Sequence, residues 1–240
     1  MSYTEAYESA LIRGDQDPLP WNLHEEITSR VSEDDHVVDI GCGTAFKALR
    51  FASLVRRVTG VEPNRTMLAQ ALSNIRAAAS ATTTVVAGQA ERLPIQDQAC
   101  DVVTVMLAPH SASEVSRILR PGGTAILEKI GDRDKWNVKS AFASDSQGPR
   151  GQFADLAEGE RAQLLRDELA EHFADVEVRH GFWKTYYTRQ ALELLLDQTP
   201  TVRGFDRQAD KPTLDRLFLD HHTDRGLETT QNRLLIIARK

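Results

Sequence analysis

The sequence predicts an α/β fold, a doubly wound and mostly parallel seven-stranded sheet with helical cap insertions. Three observations carry that expectation. Short apolar runs such as Val37-Val38-Asp39-Ile40 alternate with segments whose apolar residues recur at helical spacing, the signature of strands exchanging with amphipathic helices. The runs are nearly continuous in apolar character, as they must be when helices cover both faces of a sheet. The first run ends in Gly41-Cys42-Gly43, where small residues let the backbone turn sharply or approach a ligand closely.

The stretch to about Gly14 is amphipathic, with Tyr3, Tyr7 and Leu11 on one face beside Ala10. Asp17-Pro18-Leu19-Pro20 breaks it. Asn22 then stands where it can cap a helix to Arg30, with Glu25 and Glu26 in the favourable first turn. Strands are expected at Val37 to Ile40, Val58 to Val61, Thr82 to Val86, Val102 to Met106 and Thr124 to Leu127, the last introduced by Pro121-Gly122-Gly123. Helical spacing links Ala45, Leu49 and Ala52, and then Met67 or Leu68, Ala71 or Leu72, and Ile75. A long charged helical segment follows, carrying the loop from Ser146 to Gly151, and leads to a sixth strand at Val176 to Arg179. Helices are expected over Gln190 to Leu195 and Leu214 to His221, and a seventh strand over Arg233 to Ala238. No internal repeat or low-complexity tract is present. The expected organisation is a single domain over 1–240, with an N-terminal helical lid (1–30), a core (34–131) and cap insertions at 132–174 and 181–228. The caps would cover the open end of the sheet, where ligands of such folds bind.

Hydrophobic residues make up 41% of the chain and charged residues 27%, the balance of a soluble globular protein. No apolar run is long enough for a membrane helix, and the N-terminus lacks the basic start and apolar stretch of a secretion signal. The two cysteines, Cys42 and Cys100, have neither metal-ligand nor redox spacing, so no metal and a reducing cytoplasm are expected. A formal net charge of −6 argues against a protein that grips nucleic acid broadly. A monomer or homodimer is the expected state.

The chemistry gathers around the first turn. Asp39 lies inside the end of the first strand, just before Gly41. Glu62 ends the second strand, where a carboxylate can accept both hydroxyls of a ribose. Ala90-Glu91-Arg92-Leu93-Pro94 follows the third strand, and Asp101 opens the fourth. Singly, each has a plainer reading, Glu62 as a helix cap and Gly43 as a tight turn. A nicotinamide dehydrogenase would want a full G-x-G-x-x-G and leaves the AERLP element without a role.

Together, VVDIGCGTA, VTGVEPN, AGQAERLP, CDVVTVM and ILRPGG resemble the class I, Rossmann-like S-adenosylmethionine-dependent methyltransferases over about residues 34 to 131. The resemblance implies S-adenosylmethionine as donor and S-adenosylhomocysteine as product. It places Asp39 at the cofactor's amino-acid end, with Gly41, Cys42 and Gly43 passing close to it. It gives the ribose to Glu62, followed by Pro63, and the adenine to Gln89, Ala90 and Glu91, with Leu107 lining the floor. Gln89 departs from the Asp that the family often carries there, and its carbonyl can accept the same hydrogen bond.

The acceptor is harder to read. A base is needed only where the acceptor carries a proton that must leave. His110, after the fourth strand, can take one; the plainer alternative is a capping or packing histidine. Glu128 and Lys129 end the fifth strand as an ion pair or as substrate contacts. Tyr3, Tyr7 and Trp21 form a lid or belong to the core. Trp136, Trp183 and Tyr187 come from the caps, the last two inside the aromatic run His180 to Tyr187, which reads equally as a pocket wall or as an edge strand. His221 and His222 read as a solvated helix face. The stretches Leu107 to Gly123 and Tyr187 to Pro200 look like the bacterial ribosomal-RNA guanine-N1 methyltransferases, whose cysteine-rich zinc module this chain does not carry. The expected function is methyl transfer to oxygen or nitrogen of a small molecule. The rivals are an rRNA or tRNA base methyltransferase, needing a basic stripe from Arg133, Lys135, Lys139, Arg150 and Lys184, and a protein that binds the cofactor without transferring methyl.

Overall fold

In the computed structural model, which describes residues 11–143 and 149–240, the apolar runs become strands and the segments between them helices. The strands are β1 (Asp15–Gln16), β2 (His36–Ile40), β3 (Arg57–Glu62), β4 (Thr83–Ala87), β5 (Cys100–Met106), β6 (Leu119–Ile130), β7 (Asp175–Tyr187), β8 (His222–Thr223) and β9 (Gly226–Arg239). The helices are α1 (Leu23–Thr28), α2 (Arg65–Ala77), α3 (Ala112–Ile118), α4 (Trp136–Ala141), α5 (Glu160–Ala170), α6 (Arg189–Gln198) and α7 (Lys211–His221). Hydrogen-bonded neighbours run β1-β7-β9-β6-β5-β2-β3-β4, with β8 on β9.

The α/β class with a mostly parallel sheet is as expected, but the sheet has nine strands among the described residues where seven were expected. The additions, β1 and β8, are two residues long, too short for any alternation to show in sequence. The helix expected across Ala45, Leu49 and Ala52 is instead two 3-10 turns, Ala48–Arg50 and Ala52–Leu54. Gly43 and Ala45 both take positive φ, 57° and 61°, so right-handed winding begins only after them. The helical face of Tyr3 and Tyr7 lies outside the described residues, as does the first half of the Ser146 to Gly151 loop.

The chain divides into two compact units. The first, residues 21–129, 164–179 and 234–240, is the parallel unit. Here β2 pairs in parallel with β3 on one side and β5 on the other, and β4 and β6 extend the sheet beyond them. The chain fills one side of β2 first and then crosses to the other, so the strand order reverses beside β2. Open α/β sheets bind ligands at the carboxyl ends of the strands at such a point. Val37, Val58, Phe51, Val102 and Ile126 make its apolar interior. Asn64 starts α2, its Oδ1 accepting from the Thr66 and Met67 amides at 2.9 and 3.1 Å. Met67 and Ala71 are the face that α2 buries.

The second unit takes the described residues up to Pro20 with 130–163 and 180–233. Thr188 caps α6, its Oγ1 accepting from the Ala191 amide at 3.2 Å. The apolar stripe Ala191, Leu192, Leu195 and Leu196 then clusters with Val138, Phe142, Leu214 and Leu217. Three of the five cations of the expected basic stripe, Lys135, Lys139 and Arg150, are buried in this unit. Arg150 holds Asp210 through two contacts, at 2.6 and 3.1 Å. Among the described residues no helix is long and apolar enough to cross a membrane, and no side-chain group could hold a metal ion.

Candidate cofactor site

The carboxyl ends of β2, β3 and β5 bring four sequence-distant groups together within the parallel unit. Asp39, on β2, is 1% exposed. Its Oδ1 accepts from the Thr104 hydroxyl of β5 at 2.7 Å, while its Oδ2 has no hydrogen-bonding partner. Burial pushes the Asp39 carboxyl up to about 7, against the pull of the Thr104 hydroxyl and Lys47 and with a further push from Glu62. The hydroxyl of Thr44 is also fully buried and unanswered. Two such polar atoms at one turn fall outside the usual rule that buried polar groups are satisfied. They fit a ligand bearing an ammonium and further polar groups.

The turn itself is shaped for close approach. Gly41 has φ +68°, and a Cβ on it would stand 2.3 Å from the Cβ of Ala108. The Gly41 and Cys42 amides both donate to the Val61 carbonyl, at 2.8 and 3.2 Å. Glu62, 7% exposed, pins the loop, its Oε2 accepting from the Gly43 amide at 2.9 Å and its Oε1 from the Asn64 amide at 2.8 Å. A carboxylate offers about four lone-pair directions, so Glu62 keeps capacity for a vicinal diol after both contacts. Pro63 is exposed beside it. Burial, with Asp39 and Glu62 nearby, pushes the Cys42 thiol up. Burial likewise pushes Cys100 up to about 12, so neither is a thiolate at neutral pH.

Gln89, Ala90 and Glu91 form a turn after β4, closed by a bridge between Gln89 and Arg92. Gln89 and Glu91 are exposed and Ala90 half-buried. This loop is clamped by residues that the sequence reading missed. Glu114 of α3 accepts from the Leu93 amide at 2.7 Å, and Arg117 donates to the carbonyls of Leu93 and Ile95 at 3.2 and 2.9 Å. Their signal was the Ser111 cap followed by a Glu114 and Arg117 pair one turn apart. Leu107, after β5, is 43% exposed with φ +58°, an uncovered apolar side chain beside the turn.

The acceptor-side candidates separate. His110 has a nearly buried side chain, 6% exposed, with Nε2 3.7 Å from Glu168 of α5. Trp21 and Glu128, expected to touch substrate, close on one another, the indole Nε1 donating to Glu128 at 3.1 Å. Both are buried, and Trp21 belongs to the apolar core, because an indole that leaves water needs an acceptor for its N–H. The Lys129 Nζ donates to the Ala108 carbonyl at 2.5 Å. In the second unit, Tyr187 is a core residue, 1% exposed, accepting from Gln231 Nε2 at 3.0 Å. The aromatic run is therefore strand, part of β7, with Phe182 exposed, Trp183 bonded to Gln16 at 3.4 Å, and Thr185, Tyr186 and Tyr187 all buried. Trp136 is 39% exposed under the Arg133 guanidinium. Tyr7 lies outside the described residues.

Glu62→Ala is expected to weaken cofactor binding by about 1–3 kcal/mol, the loss of charge-assisted hydrogen bonds to buried partners. It should also lower stability, since the Gly43 and Asn64 amides lose their acceptor. Titration calorimetry with S-adenosylhomocysteine, alongside thermal melts, reads both. Unchanged affinity would leave Glu62 as a loop pin alone.

Comparisons with known proteins agree with this arrangement. Residues 37–123 match the methyltransferase domain family. An uncharacterized methyltransferase of Mycobacterium tuberculosis is 30% identical over 191 residues, covering 75% of this chain and 71% of the relative. Among solved structures, the YcgJ protein of a Bacillus is similar with TM-score 0.66 at 17% identity, over 90% of this chain and 97% of that one. Phosphoethanolamine N-methyltransferase 2 of Haemonchus contortus, solved with S-adenosyl-L-methionine, is similar with TM-score 0.59 at 19% identity, over 100% of this chain and 57% of that one. These relatives do not bear on the weaker ribosomal-RNA likeness. With the glycine turn, the reversal beside β2 and a relative alike over most of both chains, this protein belongs to the class I S-adenosylmethionine-dependent methyltransferases.

Proposed function

We propose that this enzyme methylates an oxygen or nitrogen of a small-molecule acceptor, with His110 as the base. The observation that carries the cofactor side is the pair of buried, unanswered atoms, Asp39 Oδ2 and Thr44 Oγ1, at the end of β2. In this reading Asp39 holds the cofactor's ammonium and Glu62 its ribose hydroxyls. Gln89, Ala90 and Glu91 surround the adenine, and Leu107 floors the site. When bound, the cofactor supplies a methyl group on positively charged sulfur, so the acceptor's lone pair forms the new bond as the carbon–sulfur bond breaks toward sulfur. The protein aligns the acceptor and excludes water. His110 takes the proton that an O–H or N–H acceptor releases, with the Glu168 carboxylate 3.7 Å from its Nε2.

Two facts support a small acceptor over RNA. The chain carries a net charge of −6, and Lys135, Lys139 and Arg150 are buried where an RNA clamp would need them exposed. The Haemonchus relative, named for phosphoethanolamine, supports an acceptor of that size class.

The test is transfer of radiolabelled methyl from S-adenosylmethionine into an extract of the source organism, fractionated into RNA, protein and small molecules. Label in the small-molecule fraction is expected. Label in RNA would overturn the acceptor class, and no label despite measured cofactor binding would favour a non-catalytic binder. Repeated with His110→Ala, the assay should show slower transfer at unchanged cofactor affinity. Wild-type transfer would return His110 to packing.

A further inference from the structure

The second unit holds a buried ammonium that makes no hydrogen bond. Lys139, on α4, is 0% exposed, and its Nζ has no hydrogen-bonding partner. Lys135, one turn earlier, is also buried but satisfied, donating to Asp134 at 2.9 Å and to Gln231 at 2.8 Å. The carboxylates near Lys139 are claimed by other groups. Asp134 is held by Lys135, Arg233 and the Asn232 amide. Asp132 accepts from the Gly159 amide at 3.1 Å and lies 3.8 Å from Arg133. The groups acting on Lys139 are thus two carboxylates, Asp132 and Asp134, against Arg133 and Arg233. With Lys135 and Lys139 themselves, and with Glu158 3.8 Å from Arg133, four cations face three carboxylates, an excess of one positive charge. Burial pulls the Lys139 ammonium down to about 8, which still leaves it mostly charged at neutral pH. An unanswered charge in a protein interior is strongly disfavoured unless something supplies its partner.

The cover over this ammonium is strained. Phe153, half-buried, has φ +60°, a conformation rare for a bulky side chain and frequent at ligand clamps. The Lys139 Nζ lies 5.7 Å from its ring centroid and the Arg161 guanidinium 4.6 Å from the same centroid. Gly151 lets the covering segment press close, since a Cβ there would stand 2.7 Å from the Lys139 Cβ.

We propose that Lys139, beneath the Phe153 ring, is the base of a binding site for a small oxyanion, a carboxylate or phosphate group that accepts a hydrogen bond from the Lys139 ammonium. Such a group supplies the missing acceptor and offsets the excess of positive charge. Its source is either an acidic group on the methyl acceptor or a separate small anion, which share this chemistry.

Inorganic phosphate titrated into the full chain at constant ionic strength, followed by calorimetry and thermal melts, tests the site. Wild type is expected to bind saturably and to melt higher with phosphate. Lys139→Met should bind at least about tenfold more weakly, the loss of one charge-assisted contact, and should melt no lower than wild type without phosphate. Phe153→Ala should keep phosphate binding and associate faster. Absence of saturable binding in wild type, or equal stabilisation of wild type and Lys139→Met, would overturn the proposal. So would a Lys139→Met chain that does not fold, since the ammonium would then be a structural partner. Phosphate that competes with methyl incorporation assigns the anion to the acceptor; binding without competition assigns it to a separate ligand. The binding measurement needs no methyl transfer, so its outcome is independent of the proposed acceptor class.

Discussion

Asp39→Asn is expected to weaken S-adenosylmethionine binding by more than about tenfold, the loss of a charge-assisted contact, while raising the melting temperature of the cofactor-free chain at pH 8. The two effects share one cause. An aspartate in the unfolded chain releases its proton near 3.8, but burial holds the proton on Asp39 to about 7. Between those values the folded state binds more protons than the unfolded state, so stability falls as pH rises through the window and levels off above it. The full difference costs about 4 kcal/mol at one pKa unit per 1.36 kcal/mol. Asparagine removes the charge but places an amide donor where Oδ2 has no partner, so the net gain is smaller, about 1–3 kcal/mol. A cofactor ammonium answers the carboxylate and drives proton release from it. Affinity should therefore rise by up to about tenfold per pH unit below pH 7 and flatten above it. Calorimetry of S-adenosylhomocysteine binding from pH 5.5 to 8, with melts at each pH, measures both. A slope surviving in Asp39→Asn would assign the proton to another group, and a variant less stable at pH 8 would remove the buried charge as its cause.

What the sequence disclosed here, and what it withheld, divides by distance along the chain. The places of Asp39, Gly41 and Gly43 in the fold were legible because a strand end and a tight turn are local events, and the place of Glu62 because it closes the next strand. Thr104 was not, since nothing near it signals that its hydroxyl will meet Asp39 from 65 residues away. The partnership of Trp21 and Glu128, 107 residues apart, was hidden for the same reason, so two residues that satisfy each other looked like two substrate contacts. The aromatic run from His180 to Tyr187 failed differently. Its composition fits a pocket or a strand equally, and only pairing decides; with β7 formed, its last three residues, Thr185 to Tyr187, are all buried and Tyr187 becomes core. The 3-10 turns after β2 replaced an expected helix because apolar spacing carries no warning of a positive φ at Ala45. Likewise Lys139 reads in sequence as a surface cation, and only the fold shows it sealed beneath Phe153.

The largest loss of stability is expected from Gly41→Ala. Two penalties combine there. The left-handed backbone, φ +68°, costs a residue with a Cβ about 1–2 kcal/mol. That Cβ would also sit 2.3 Å from the Cβ of Ala108, and forcing such a contact costs about 1–3 kcal/mol more. The sum, about 2–5 kcal/mol, is a large fraction of the stability of most domains. The second penalty can be removed separately. Ala108→Gly takes away the opposing Cβ, so Gly41→Ala with Ala108→Gly should recover about 1–3 kcal/mol while the backbone strain remains. Denaturant melts of the two single variants and the double variant form a cycle whose interaction energy isolates the contact. Additive losses would mean that the turn and the loop after β5 do not meet as described. Cofactor affinity in the double variant then separates two roles for the glycine. If stability returns and affinity does not, the missing Cβ is needed for the ligand's approach to the turn. If both return, Gly41 serves only to let the two loops close on each other, and Asp39 and Glu62 alone must hold the cofactor.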